Sequence, residues 1–238
     1  MQLTNHFGIT FNGKHSYNDL GLRVVDKIIG NPSKIKRKER VPFSNEIYDF
    51  SGIYGGQEYE ERSLTYVFDI KNYNKTNMAI KKIEVLNWLM QPSEKTKLID
   101  DYIPGYYFVA EVEEEPDFDE LRFRGNLTIN FTAYPFKIGE LYEGNDIWDT
   151  FNFLLDYAQI TDFEVNGRKE VVLYNPGASV VKPKILSSNS MELIKDGVTY
   201  NVPVGESQSH DFVLPGLENK VTIIGNGRIQ FLFKKELI

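Results

Sequence analysis

Short apolar runs cut by turn-forming dipeptides restrict this chain more than any other feature. In the second half the runs are Glu170 to Tyr174, Val180-Val181, Lys184 to Leu186, Met191 to Ile194, Asp211 to Leu214, Lys220 to Ile224 and Arg228 to Phe233. Between them stand Asn175-Pro176-Gly177, Asp196-Gly197, Pro215-Gly216 and Gly225-Asn226-Gly227. Each run has the length of a strand and not of an ordinary helix, and the glycines supply the positive φ that tight turns need. The pattern predicts an antiparallel sandwich or barrel, with Gly225-Asn226-Gly227 as a hairpin turn.

The first half mixes periods. Phe7 to Phe11 alternates and meets Asn12-Gly13, which predicts a strand and a tight turn. Leu20 to Ile29 predicts a second strand, stopped at Gly30-Asn31-Pro32, and Arg62 to Ile70 a third, with Leu64, Tyr66, Phe68 and Ile70 on its buried face. Ser51 to Gly56 sets glycines among aromatics and predicts an irregular loop packed by large rings. Ile80, Ile83, Leu86 and Leu89 or Met90 recur at about helical spacing after a cap at Thr76 or Asn77, and Gln91-Pro92 ends the helix. Trp88 and Met90 then belong to core or flank. Tyr106 to Ala110 and Leu121 to Phe131 are expected to pair across an acidic stretch. Beyond Tyr134-Pro135-Phe136, turns mix with Ile147, Trp148, Phe151, Phe153, Leu154 and Leu155, a candidate short helix. The expected division is a domain at 1–138, of sheet plus one helix, and a β-sandwich at 139–238.

Composition excludes several classes. With 238 residues and 41% hydrophobic content, the chain can bury a sizeable core in one large or two modest domains. Zero Cys removes disulfides, thiolate metal sites and Cys nucleophiles, and fits a reducing compartment. A net charge of -7 opposes general nucleic-acid binding. No apolar run approaches the ~20 residues of a membrane-spanning helix, and Met1 to Phe7 has no secretory-signal pattern.

Several stretches, in order, resemble the distal tail proteins (Dit-like) of long-tailed, non-contractile phages and prophages. They are Ile9 to Gly13 with Leu20-Gly21-Leu22, Pro42 to Asn45, Tyr48 to Ser51, Tyr59 to Arg62, Asn87-Trp88-Leu89 and Asp100 to Tyr107. Asn175-Pro176-Gly177, Lys182 to Ile185 and Leu214 to Asn219 follow in the second half. Each motif is largely turn chemistry beside strands, so the specificity lies in their order over nearly the whole chain. The resemblance implies an N-terminal belt domain that assembles into a six-membered ring and a C-terminal galectin-like β-sandwich outside it. It also implies two partners, the tail-tube protein and the tail-associated fibre or hub protein, and a structural role at the tail tip with no reaction catalysed.

Candidate chemistry is sparse. His6, His15 and His210 lack metal-site spacing and read as turn or surface histidines. Ser209-His210-Asp211 holds triad residue types, but adjacent strand residues point to opposite faces. The acidic run Glu111, Glu113, Glu114, Glu115, Asp117, Asp119 and Glu120 reads as a solvated hairpin tip, although paired carboxylates are what glycoside hydrolysis needs. No catalytic residue, metal or cofactor is expected. The expected subunit or partner interface comprises the basic run Lys34, Lys36, Arg37, Lys38 and Arg40, the aromatics Tyr48, Phe50, Tyr54 and Tyr59, and Arg62. In a ring the basic loop could face Glu111 to Glu120 of a neighbour. Arg62, at the strand start, is expected to fix the aromatic loop before it. The rival functions are a carbohydrate-binding module, suggested by the sandwich, and a cell-wall hydrolase, suggested by the acidic run alone.

Overall fold

The computed structural model describes residues 7–53, 56–71, 74–121, 124–145, 147, 152, 154 and 157–238. The chain divides into two compact units, Met1–Lys137 and Ile138–Ile238. Tyr54, Trp148, Phe151, Phe153, Leu155 and His6 lie outside the described residues, and with them most of the candidate short helix.

In the first unit, β1 (Ile9–Phe11) and β2 (Lys14–His15) form a tight hairpin. Asn12 and Gly13 at its tip have φ of 44° and 72°, the left-handed pair that an Asn-Gly turn supplies at low cost. Then come β3 (Arg23–Ile29), β4 (Lys38–Arg40), β5 (Ile47–Asp49), β6 (Arg62–Lys71) and α1 (Lys75–Met90). They are followed by β7 (Thr96–Asp100), β8 (Tyr106–Glu111), β9 (Asp117–Leu121) and β10 (Arg124–Ala133). The sheet runs β2-β1-β7-β8-β10-β6-β3. Alternation along β6 buries Leu64, Tyr66 and Phe68 completely, against Phe11, Phe108 and Phe131. The Tyr66 hydroxyl donates to Asp100 at 2.9 Å, and Lys27 Nζ meets the same carboxylate at 2.7 Å. Burial, then the Asp100 charge, pushes the Tyr66 phenol far above its ordinary range.

Three expectations for this unit are corrected. The helix is capped by Asn74, whose side chain accepts from Thr76 N–H at 2.9 Å, and not by Thr76 or Asn77. Its packed face is Met78, Val85, Trp88 and Leu89, whereas Ile80 and Ile83 are each 60% exposed. The reason is the period: steps of three residues fall short of the 3.6-residue turn, so the face drifts round until Leu89, nine positions on, is opposite Ile80. Trp88 is buried, its Nε1–H donating to Phe11 O at 2.7 Å, while Met90 is exposed. Finally, the acidic stretch is partly a strand of its own. β9 pairs with Arg124 to Thr128 of β10, and β8 reaches β10 only at Thr132 and Ala133. The two share one edge of β10 because β6 occupies the other along its whole length.

β11 (Lys137–Gly139) spans the divide in the chain. The second unit adds β12 (Asp162–Asn175), β13 (Lys184–Ser187), β14 (Met191–Lys195), β15 (Val198–Val202), β16 (Gly205–Ser207), β17 (Leu217–Leu232) and β18 (Glu236–Leu237). It is the β-sandwich expected, with a core of Leu173, Leu193, Phe212, Leu214, Ile223, Ile229 and Phe231. Asp196-Gly197 makes the β14–β15 turn at φ of 52° and 78°. The expected turn at Gly225-Asn226-Gly227 is instead the middle of β17, which pairs with β12 from Leu217 to Gln230. On the opposite edge of β17 the partner changes there from β14 to β13. The glycines serve that crossing: a Cβ on Gly225 would stand 2.8 Å from Met191 Cγ, and one on Gly227 2.4 Å from Ser188 Oγ. Asp211 to Leu214 is not a strand; only Leu214 forms a bridge, to Val181.

Candidate functional site

Of the expected interface residues that the structure describes, Lys34, Lys36, Arg37, Lys38, Arg40, Tyr48, Phe50 and Tyr59 lie along one ribbon, and Arg62 does not. β4 and β5 pair antiparallel, Lys38 with Asp49, Glu39 with Tyr48 and Arg40 with Ile47, and all six strand residues are exposed. The ribbon continues toward its base through Phe50 N–H to Arg37 O at 2.8 Å, Ile35 N–H to Glu58 O at 2.9 Å and a bridge between Lys34 and Tyr59. Ser51 is therefore part of a built turn and not of an irregular loop: its N–H donates to Asp49 Oδ1, and its Oγ accepts from Arg37 N–H. Hydrogen bonds from Ser51, then Lys36, hold the Asp49 carboxyl well below the usual range.

The basic run is partly matched inside its own arm. Lys36 Nζ meets Asp49 at 3.1 Å and Arg37 Nη2 meets Glu58 at 2.8 Å, while Lys38 and Arg40 lie exposed on β4. Chain spacing suggested a uniform cationic loop because the acids that answer it arrive from the returning strand. The acidic run is answered in a similar way. Glu111 shares Lys95 with Glu61, Thr132 donates to Glu113 at 3.0 Å, and Asn130 donates to Glu114 at 3.1 Å.

What distinguishes the arm is its apolar surface. Tyr48 and Phe50 are exposed with ring centroids 6.2 Å apart, and Phe43, Ile47 and Ile53 join them, Phe43 being fully exposed. Phe43 also has φ +60°. A bulky residue in the left-handed region costs about 1–3 kcal/mol, and such outliers persist where function requires the side chain outward. A two-stranded hairpin is marginal alone in water, so an arm this apolar needs a covering surface to be well ordered. Phe43, Ile47 and Ile53 were not singled out from the sequence, although Pro42-Phe43-Ser44-Asn45 carries the turn signal that places Phe43 at a tip. Tyr59 is half-buried and packs edge-on against Phe136 at 5.2 Å. Arg62 is only 2% exposed. Strand alternation puts it on the core face with Leu64 and Tyr66, over the Phe108 ring at 5.6 Å, and not among the exposed residues of the arm.

No metal-holding cluster of three His, Cys, Asp or Glu occurs among the described residues. His15 is not the isolated residue that chain spacing suggested. Its Nδ1 accepts from Asn18 N–H at 3.0 Å, leaving the Nε2 proton to Asp101 at 2.9 Å, a partner brought in by the β1–β7 pairing. Ser209 Oγ accepts from Asp211 N–H at 3.2 Å, a local turn contact.

Residues 19–133, nearly all of the first unit, match the family described as phage tail protein RIFT-related domain. Over 96% of its length the chain also superposes on 98% of the Dit protein of phage SPP1, with a TM-score of 0.64 at 14% identity. The chain carries a phage tail RIFT-related domain within a Dit-like fold. That solved structure is described as a paradigm of the hub adsorption apparatus in phages infecting Gram-positive hosts. No curated protein sequence matches the chain. The domain match begins just before β3 and ends with β10, so it contains the whole β4–β5 arm and the β6–β10 core pair. No helix among the described residues is long and apolar enough to cross a membrane.

Proposed function

We propose that this Dit-like protein is a structural subunit of the phage tail tip. Six copies form a ring through their first units, joining the tail-tube protein to the tail-associated fibre or hub protein and supporting host adsorption. The observation that carries this reading is the β4–β5 arm, whose apolar residues stand in water in the single chain. A closed ring needs two different patches on each subunit. The arm supplies one, and the outer face of α1, with Ile80 and Ile83 exposed side by side, supplies the other. The role is one of binding surfaces, with no reaction catalysed, and the site of action is the virion tail after synthesis in the bacterial host.

Light scattering at micromolar concentration tests it, on the full chain and on separate fragments 1–137 and 138–238, alone and with the tail-tube partner. The first fragment is expected to carry assembly to a six-fold mass, and the second to remain monomeric. An assembling second fragment beside a first fragment that stays monomeric with its partner would put the ring surface in the wrong unit.

A further inference from the structure

Arg62 is buried, yet its Nε and Nη2 have no hydrogen-bond partner among the described residues, and neither does the buried Oγ1 of Thr96. These three atoms, which share no sequence motif, belong to one cross-strand row. Thr96 of β7 faces Ala110 of β8, Ala110 faces Ala133 of β10, and Ala133 faces Arg62 of β6. The row spans about 14 Å from its first strand to its fourth. Its two middle positions are alanines, both fully buried, whose short side chains leave the Arg62 guanidinium free to reach across to the Phe108 ring.

Two other arginines show what that pair of donors takes. Arg124 gives Nε to Asp69 Oδ1 at 2.8 Å and Nη2 to Asp69 Oδ2 at 3.2 Å. Arg228 presents the same two nitrogens to Asp162. In both, the side-on fork of Nε and Nη2 holds one carboxylate, the geometry that suits a planar two-oxygen acceptor. Arg62 offers the same fork from a more buried position. Lys95, next to Thr96 in the chain, already has Glu61 and Glu111. Lys137 adds positive charge beside Arg62: burial, then the Arg62 charge, pushes its ammonium below the ordinary lysine range. Leaving buried donors unpaired costs about 1–3 kcal/mol, more for a charged group.

We propose that Arg62 and Thr96 form a receptor site for one carboxylate, held side-on by the Arg62 fork with the Thr96 hydroxyl able to donate to it. The carboxylate comes either from an acidic side chain of a second copy or from a small carboxylate in solution. The site itself does not depend on the ring reading; only the first source does.

Thermal melts of the full chain separate these possibilities. In dilute protein, 100 mM sodium acetate should raise Tm by about 2–4 °C over sodium chloride of equal ionic strength, because binding to the folded state stabilises it. Arg62→Met should abolish that rise while keeping or raising Tm in chloride, since an apolar chain of similar length leaves no orphan donor. Arg62→Lys keeps the charge but lacks the fork, and should lose the acetate response even if Arg62→Met folds poorly. In concentrated protein, loss of the acetate response together with weaker self-association of Arg62→Met assigns the carboxylate to a second copy. A response that persists there assigns it to solution. The proposal is overturned if the dilute wild-type chain ignores acetate and Arg62→Met associates normally, or if an acetate response survives in Arg62→Lys.

Discussion

Two antiparallel ribbons of this protein, β4–β5 in the first unit and β12–β17 in the second, meet water in opposite ways. The first pairs three residues on each side, and every one of them is exposed. The second pairs Asp162 to Asn175 against Leu217 to Gln230, and its alternate residues Val171, Leu173, Val221, Ile223 and Ile229 are buried. Length and alternation make the difference. A long ribbon with a two-residue period over much of its length has an apolar face that its own unit can cover, whereas a short ribbon with apolar residues at its tip and turns cannot cover itself. The long ribbon is thus covered within its own unit, whereas the short one leaves apolar side chains exposed.

Substitutions in the two ribbons should separate these roles. The largest effect is expected for Phe231→Ala in β17. Phe231 is fully buried between Phe163 and Phe212, and the cavity should cost about 3–5 kcal/mol. Thermal unfolding should show the loss in the second unit alone. Gly225→Val comes next, at about 1–3 kcal/mol, because the side chain must displace Met191 and accept φ 147°. If Gly225 tolerates valine without loss, the close crossing at the centre of β17 is not what its glycines serve.

That glycine pair also shows where the sequence is legible. Period-two runs marked the strands of both units, because alternation is a local signal that burial enforces residue by residue. Asn12-Gly13 and Asp196-Gly197 likewise declared their turns. Gly225-Asn226-Gly227 has the same composition but sits where a third chain segment crosses, a fact held in Met191 and Ser188, far along the chain. Ile80 and Ile83 misled for a different reason: three-residue spacing resembles a helical face over one turn and leaves it over three. At the candidate site, the aromatic and basic residues were visible as composition. The ion pairs within the arm depend on pairing partners that no local window contains, whereas the burial of Arg62 continues the alternation of Leu64 and Tyr66 and was hidden only by its charge.

A third prediction compares two carboxylates held low, one in the core sheet and one on the arm. Asp69 is 3% exposed and accepts from Arg124; burial alone would raise its pKa, but hydrogen bonds from Arg124 and Lys71 outweigh burial and lower it. A depressed folded pKa means stability that is present above the unfolded value, about 3.9, and lost as pH falls through the folded one. Asp69→Asn should therefore cost about 1 kcal/mol at neutral pH, a low figure because Arg124 and Lys71 are exposed and screened. The deficit should shrink below pH 3.9 and vanish in stronger acid. Asp49→Asn, on the exposed arm, should leave the melt unchanged. A pH-independent deficit for Asp69→Asn would mean that packing, and not its ion pairs, matters there.

The smallest change in stability, and the sharpest test of the comparison, is expected for Phe43→Ser combined with Tyr48→Ser. Both side chains stand in water, Phe43 fully and Tyr48 by more than half, so removing them takes nothing from the core. Exposed substitutions away from caps and networks usually fall within about 0.5 kcal/mol. Phe43→Ser does not relieve the positive φ, since serine also carries a Cβ, which leaves the backbone cost on both sides of the comparison. Chain stability should thus hold within about 0.5 kcal/mol, while the mass by light scattering falls from assembly to monomer. Aromatics at the centre of an interface carry about 2 kcal/mol or more each, enough to reduce association a thousand-fold for the pair. A melt that drops by several degrees would show that the arm folds back on its own chain. An unchanged melt with undiminished assembly would show that the subunits meet elsewhere. The combination expected, an intact fold that no longer assembles, can arise only if the apolar arm is idle in the single chain and engaged between chains.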